Sequence, residues 1–234
     1  MKNAFKFKQF EIDQTGCAMR INTDGVLLGA IATKKNASRI LDIGTGTGVI
    51  ALMLAQRFPD ALVDAVEIDE SAAVAAAKNA ENAAFSERLN VIHTAIEDYT
   101  STGLYDLIVS NPPFFVNDLK NPEYRKGVAR HTDAVFFEVL LRKVGLLLSR
   151  EGRFWFVLPV KQAESTIRIA ADYGLFPVKV VHLHSDETKE EFRQIVCLGY
   201  SGAEIKHQKL CIYADRGVHT KAYKLLLKDF FLAF

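Results

Sequence analysis

The run from Arg39 to Gly48, R-I-L-D-I-G-T-G-T-G, constrains this chain more than any other stretch. Ile40, Leu41 and Ile43 around Asp42 have the apolar character of a buried parallel strand, and the apolar stretch Val49–Phe58 after the glycines that of a helix. Gly44, Gly46 and Gly48 let the backbone turn and let a ligand approach it, while the helix start offers unpaired N–H groups. A strand, a glycine turn and a helix make a nucleotide-type site, and the spacing decides the ligand. A dinucleotide fingerprint has a third glycine three residues after the second, where this chain has Val49, so G-x-G-x-G preceded by Asp42 fits NAD poorly.

Asp-x-Gly-x-Gly-x-Gly instead resembles the cofactor loop of class I (Rossmann-like) S-adenosyl-L-methionine (AdoMet) methyltransferases. That resemblance implies an α/β fold: a mostly parallel sheet with an antiparallel closing strand, helices on both faces and a short N-terminal β extension. AdoMet carries a sulfonium, an amino acid head and an adenosine, so acids and carbonyls are expected around it rather than a pyrophosphate cradle. Leu62–Ile68 predicts a second strand with Glu67 at its end, before Ile68. In an open doubly wound sheet the ligand lies over the carboxyl ends of the strands, so an acid there reaches the ribose hydroxyls. Asp69 competes for that role and is also placed to cap the Ala-rich helix Glu70–Ala84; position in the βαβ unit favours Glu67. After a third strand, Leu89–His93, either Glu97 or Asp98 is placed to accept the hydrogens of the cofactor's adenine amine, with Ile96 on the ring face; a solvated turn has the same composition.

A fourth strand, Leu104–Val109, runs into Ser110-Asn111-Pro112-Pro113-Phe114-Phe115. Two prolines stop regular structure and fix a turn at the strand end. Asn-Pro-Pro-aromatic resembles the motif of methyltransferases acting on planar nitrogens: adenine N6, guanine N2 or a glutamine amide. A conjugated amine is weakly nucleophilic, so two acceptors on its hydrogens, the Asn111 side-chain oxygen and the Pro112 carbonyl, favour the form whose lone pair points at the methyl group. Phe114 is placed to stack on the base. The transfer needs no metal, and the chain shows no nucleophilic Ser/His/Asp set.

The order F-x-F-K-Q-F at Phe5–Phe10, M-R-I-N-T-D-G-V-L-L-G-A at Met19–Ala30, L-D-I-G-T-G-T-G and S-N-P-P-F is similar to the bacterial family that methylates N6 of an adenine beside the anticodon of valine tRNA. The likeness runs over most of the chain. It implies Asn111, Pro112 and Phe114 for target recognition, Phe114 standing where tyrosine is commoner. For AdoMet it implies Asp42, Gly44 and its neighbouring glycines, Glu67 and Glu97, with tRNA as partner. Asn22 and Thr23, just upstream of the cofactor strand, are placed either to close over AdoMet or to cap the helix Val26–Thr33. Arg125, Lys126 and Arg130, with Lys120, His131 and Tyr124, form a basic, aromatic-bearing loop beside the target turn, as an RNA rim requires.

The remaining features are architectural. Phe5, Phe7, Phe10 and Ile12 alternate as an edge strand or hairpin arm would, Phe137–Leu148 and Lys161–Asp172 predict helices, and Arg153–Leu158 a fifth strand. Pro177–Leu183 and Gln194–Tyr200 predict an antiparallel closing pair; Lys206, His207 and Lys209 read as ordinary surface. With 234 residues, 49% apolar, the chain suits one domain, residues 1–38 being an extension over the cofactor site. A net charge of +1 excludes neither RNA nor protein as partner. Cys17, Cys197 and Cys211 lie far apart and predict neither a zinc site nor a disulfide framework, and no segment reaches the roughly 20 apolar residues of a membrane span. A monomer of the cytoplasm, without metal or membrane partner, is the expectation. Release-factor glutamine and ribosomal guanine-N2 methyltransferases share the Asn-Pro-Pro-aromatic motif; the former usually carry a helical N-terminal domain, against 38 residues here before the cofactor strand. A non-catalytic RNA-binding or AdoMet-sensing module would have no need of paired acceptors at Asn111.

Overall fold

The computed structural model describes residues 4–15, 20–113, 122–202 and 204–234, with only the backbone for 122–134. The chain opens with a hairpin, β1 (Ala4–Lys6) and β2 (Glu11–Asp13), then α1 (Thr23–Ile31). The βα units that follow are β3 (Arg39–Ile43), α2 (Val49–Arg57), β4 (Leu62–Glu67), α3 (Glu70–Glu81), β5 (Leu89–His93), β6 (Tyr105–Ser110) and α4 (Pro122–Leu147). β7 (Leu148–Leu158), α5 (Val160–Ala170), β8 (Phe176–His184), β9 (Glu191–Gly199), β10 (Lys206–Cys211), a small ribbon of β11 (Tyr213–Asp215) and β12 (Val218–His219), and α6 (Lys221–Leu227) complete it.

Eight strands form one sheet in the order β10-β8-β9-β7-β6-β3-β4-β5. β9 runs antiparallel to both of its neighbours, and the other pairs are parallel. β3 lies between β4 and β6, so the order reverses there, and a crevice opens over the carboxyl ends of these strands. Side chains alternate between two cores: in β7, Trp155 and Val157 join α1, α2 and α6, while Phe154, Phe156 and Leu158 join α4 and α5. Two arginines close helix ends. Arg57 donates to the Gly29 and Ala32 carbonyls at the end of α1, and burial lowers its pKa to about 10. Arg88 donates to the Ala55, Phe58 and Ala61 carbonyls at and just beyond the end of α2.

Three expectations are corrected. The antiparallel pair β8 and β9 forms but does not close the sheet: β10 pairs outside it, parallel to β8, and its exposed Lys206, His207, Gln208 and Lys209 suit an outer edge. The segment read as a basic loop is helical backbone from Pro122 onward, proline being compatible with a first helical turn. β7 begins at Leu148 rather than Arg153, because Ser149–Gly152 bulges between the Tyr105–Leu148 and Leu107–Arg153 registers; S-R-E-G has the composition of a turn.

Candidate active site

The glycine loop leaves β3 with Gly44, Gly46 and Gly48 at φ of 70°, 58° and 83°, the left-handed region that side chains resist. At Gly44 and Gly46 an added Cβ would meet nothing within 4 Å, so backbone conformation rather than space requires glycine there. The loop is tied to the end of β4. The Gly44 and Thr45 amides donate to the Val66 carbonyl at 2.8 and 3.1 Å, and the Gly46 amide donates to Glu67 Oε2 at 2.8 Å. Glu67 Oε1 accepts from the Asp69 amide at 2.9 Å. The buried carboxylate is thus oriented through both oxygens, each of which has a further lone pair.

Asp42 is fully buried and faces α2 rather than the crevice. Its Oδ2 accepts from Thr45 Oγ1 at 2.6 Å and from the Ala51 amide at 3.2 Å, capping a helix whose N-cap residue, Gly48, has no side chain to do so. Desolvation, reinforced by the nearby Glu67 charge and opposed by those two hydrogen bonds, raises the Asp42 pKa from 3.8 to about 7.

A cavity of about 330 Å³ occupies the crevice, at the lower end of the usual range for small-molecule sites. One wall is bare loop backbone at Gly44 and Gly46; Glu67, Ile68, Ile96 and Glu97 form the next, and Asn111, Pro112 and Pro113 close it from β6. Ser110 Oγ donates to the Ile43 carbonyl at 2.9 Å, bracing that turn against β3. Asn111 Oδ1 is buried and accepts no hydrogen bond from the described residues. Its amide nitrogen lies 3.4 Å from where a Cβ on Gly25 would sit, so glycine at the start of α1 leaves room for this side chain.

Of the residues singled out in the sequence, the fold gathers Gly44, Gly46, Glu67, Ile68, Ile96, Glu97, Asn111 and Pro112 around one cavity. Asp42, Gly48, Asn22 and Thr23 are not brought to its wall. Asn22 caps α1, its Oδ1 accepting from the Gly25 amide at 2.8 Å, and Thr23 is the first residue of that helix. Asp69 caps α3 through the Ala72 amide and lines the cavity as well, whereas Asp98 does not reach it. Phe114 lies outside the described residues, as do the side chains of Arg125, Lys126 and Arg130. Phe136 on α4 and Thr94 after β5 also line the cavity and escaped the sequence reading. The signal for Phe136 was its neighbour: consecutive residues on a helix point about 100° apart, so with Phe137 in the core Phe136 must face elsewhere. Among the described residues no group of three His, Cys, Asp or Glu side chains is placed to hold a metal, and no helix is long and apolar enough to cross a membrane.

Residues 20–176 match the methyltransferase small domain. Over 234 residues the chain is 72% identical to the tRNA1(Val) (adenine(37)-N6)-methyltransferase of Pedobacter heparinus, covering all of both chains. The chain belongs to the tRNA1(Val) (adenine(37)-N6)-methyltransferase family. Solved structures show the class I fold of this family more widely. A predicted O-methyltransferase of Agrobacterium tumefaciens superposes with a TM-score of 0.68 at 18% identity, over 88% of this chain and 96% of that one. The glycopeptide N-methyltransferase MtfA, solved in complex with AdoMet, superposes with a TM-score of 0.58 at 12% identity, over 78% and 100%. AdoMet is the cofactor of the family, and the site suits it: side-chain-free backbone on one wall, and a buried, pre-oriented carboxylate with acceptor capacity on the next.

Proposed function

We infer that this chain methylates N6 of adenine 37 in tRNA1(Val), with AdoMet as methyl donor. The observation that carries the reading is the 72% identity, end to end, with a relative of that activity. Bound AdoMet supplies an electrophilic methyl group on a positively charged sulfur. Glu67 receives the ribose hydroxyls on its remaining lone pairs, Ile68 and Ile96 pack on the adenine, Glu97 accepts from its amine, and Gly44 and Gly46 admit the amino acid portion close to the backbone. Asp42 and Gly48 act one step back, by fixing the loop. Asn22 and the rest of the 1–38 extension contribute by holding α1 beside Asn111.

On the target side, Asn111 Oδ1 accepts one hydrogen of the adenine amine and the Pro112 carbonyl the other, turning the nitrogen lone pair toward the methyl group. The buried Oδ1, without a donor among the described residues, supports that assignment, since a buried acceptor without a partner costs free energy that a substrate donor repays. Phe114 stacks on the base, and Arg125, Lys126 and Arg130 meet phosphates. On this reading the protein acts on tRNA in the cytoplasm, as a monomer.

The test uses methyl-labelled AdoMet and unmodified bulk tRNA, followed by digestion to nucleosides. Label in N6-methyladenosine is expected, and its absence from tRNA would overturn the reading. Asn111→Ala should retain AdoMet affinity within about twofold while lowering kcat by 10²-fold or more, on the order of 3 kcal/mol of lost transition-state stabilisation. Equal loss of AdoMet binding in Asn111→Ala would refute the division between cofactor and target residues.

A further inference from the structure

A second hollow, of about 750 Å³, lies on the α1 face of the sheet, away from the cofactor cavity. Its floor is Trp155, Cys197, Lys179 and Lys206, which stand in one lateral row across β7, β9, β8 and β10 and therefore share a face. Trp155 is fixed by a 3.0 Å hydrogen bond from its indole nitrogen to the Thr33 carbonyl, just beyond the end of α1. Six cations line the hollow, Lys34, Lys35, Arg150, Arg153, Lys179 and Lys206, against one acid, Glu151.

This charge is concentrated on a chain whose net charge is only +1, and none of the six cations lies within ion-pair distance of a carboxylate among the described residues. Lys179 and Lys206 are direct register partners on neighbouring strands, where like charges repel. The arginines are held in place: Arg150 lies over the Tyr200 ring at 5.3 Å, and Arg153 Nη1 donates to the Glu151 and Gly152 carbonyls at 3.1 and 2.8 Å. An added Cβ at Gly199 would sit 2.9 Å from Arg153 Nη1, so glycine there leaves the guanidinium its path across the strand. Six cations around an aromatic floor, none in an ion pair among the described residues, fit a polyanion rather than a small metabolite.

We propose that this hollow is a second RNA-docking surface, which binds phosphates of the substrate tRNA away from the target nucleotide. The proposal rests on the tRNA reading above. The sheet register supports its reach. Val109, two residues before Asn111, begins the row that continues through Trp155, Cys197 and Lys179 to Lys206. Four strand spacings across and two residues along put Lys206 roughly 20 Å from Asn111. That span is on the order of six base-pair steps of a duplex, within one stem of a folded RNA. A tRNA engaged at Asn111 thus meets the hollow without a second molecule.

The test is a variant of three exposed cations, Lys35→Gln, Arg150→Gln and Lys206→Gln, none in the cofactor cavity. Binding of unmodified tRNA is measured by fluorescence anisotropy at several salt concentrations, with AdoMet binding by calorimetry and methyl transfer by the parent protein in parallel. Each phosphate contact contributes about 0.7–0.9 to the slope of log affinity against log salt, so the slope should shrink by about 2 to 3. At moderate salt the tRNA Kd and KM should rise roughly ten- to hundredfold, with AdoMet affinity and kcat unchanged. An unchanged slope and Kd would overturn the proposal and leave an acidic protein surface as occupant. If the parent transfers no methyl group to tRNA, the functional reading itself fails, and the proposal with it.

Discussion

Replacing Glu67 by alanine separates the loop bracing that its carboxylate performs from the ribose binding proposed for it. Its oxygens accept from the Gly46 and Asp69 amides at 2.8 and 2.9 Å, and Glu67 is only 8% exposed. Hydrogen bonds to a charged acceptor contribute about 1.5–3 kcal/mol each. Both amides lie on the cavity wall, where water reaches them once the side chain is gone, so the lower end applies and the total loss is about 3 kcal/mol. For a chain of this length that is roughly 6–12 °C in Tm. On the proposed assignment the ribose hydroxyls would lose the same acceptor, two more charge-assisted bonds, so AdoMet affinity should fall by about 10²-fold beyond any effect of loop disorder. Glu67→Gln should recover little, because its NH2 group would face one of the two amide donors. Thermal melts without ligand and calorimetric titration with AdoMet measure the two losses separately. An alanine variant that melts like the parent would refute the loop-bracing argument; one that melts low but binds AdoMet with parental affinity would refute the ribose assignment.

Asp42 and Arg88 test the scaffold. The folded-state pKa of Asp42, about 7, lies above its ordinary 3.8, so between those values the folded chain holds a proton that the unfolded chain has lost, and this residue's contribution to stability falls as pH rises before levelling off above 7. Asp42→Asn removes that dependence while keeping an acceptor for Thr45 and Ala51; urea denaturation at pH 5 and pH 8 should show the variant gaining on the parent at the higher pH, and a pH-independent difference would contradict it. Arg88→Lys exchanges a fork serving three carbonyls for a single ammonium and should cost about 2 kcal/mol, with AdoMet affinity unchanged. A Tm within 1 °C of the parent would sink that assignment, since about 4–8 °C is expected.

What the sequence displayed clearly was whatever is determined locally. The first four core strands are short apolar runs bounded by turn residues, and the glycine loop declares itself by spacing, so the crevice between β4 and β6 was readable before any coordinates. Non-local choices were not. β10 carries four exposed polar residues before Leu210 and Cys211, and only its pairing with β8 makes it a strand. The Ser149–Gly152 bulge is two-faced in the same way, a turn by composition and part of β7 by register. Asp42 is a different case. Adjacent strand residues point to opposite faces, so with Ile43 on the cavity wall Asp42 had to face α2, and period two alone would have made it a brace for the loop.

The topology also accounts for the proposed division between cofactor-binding and target-binding residues. Glu67 ends β4 and Asn111 follows β6, the two strands flanking β3, so the cofactor side and the target side are separated by two strand spacings, about 10 Å. Each side is pinned to β3 or to the loop leaving it: Glu67 through the Gly46 amide, and the β6 turn through Ser110 and the Ile43 carbonyl. On the proposed assignment, the spacing between the cofactor side and the target side is therefore set by the sheet and not by the loops that make the contacts. Because a misplacement of about 1 Å can cost 10²-fold in rate, this arrangement leaves the loops free to recognise the tRNA while the strands hold the reacting geometry.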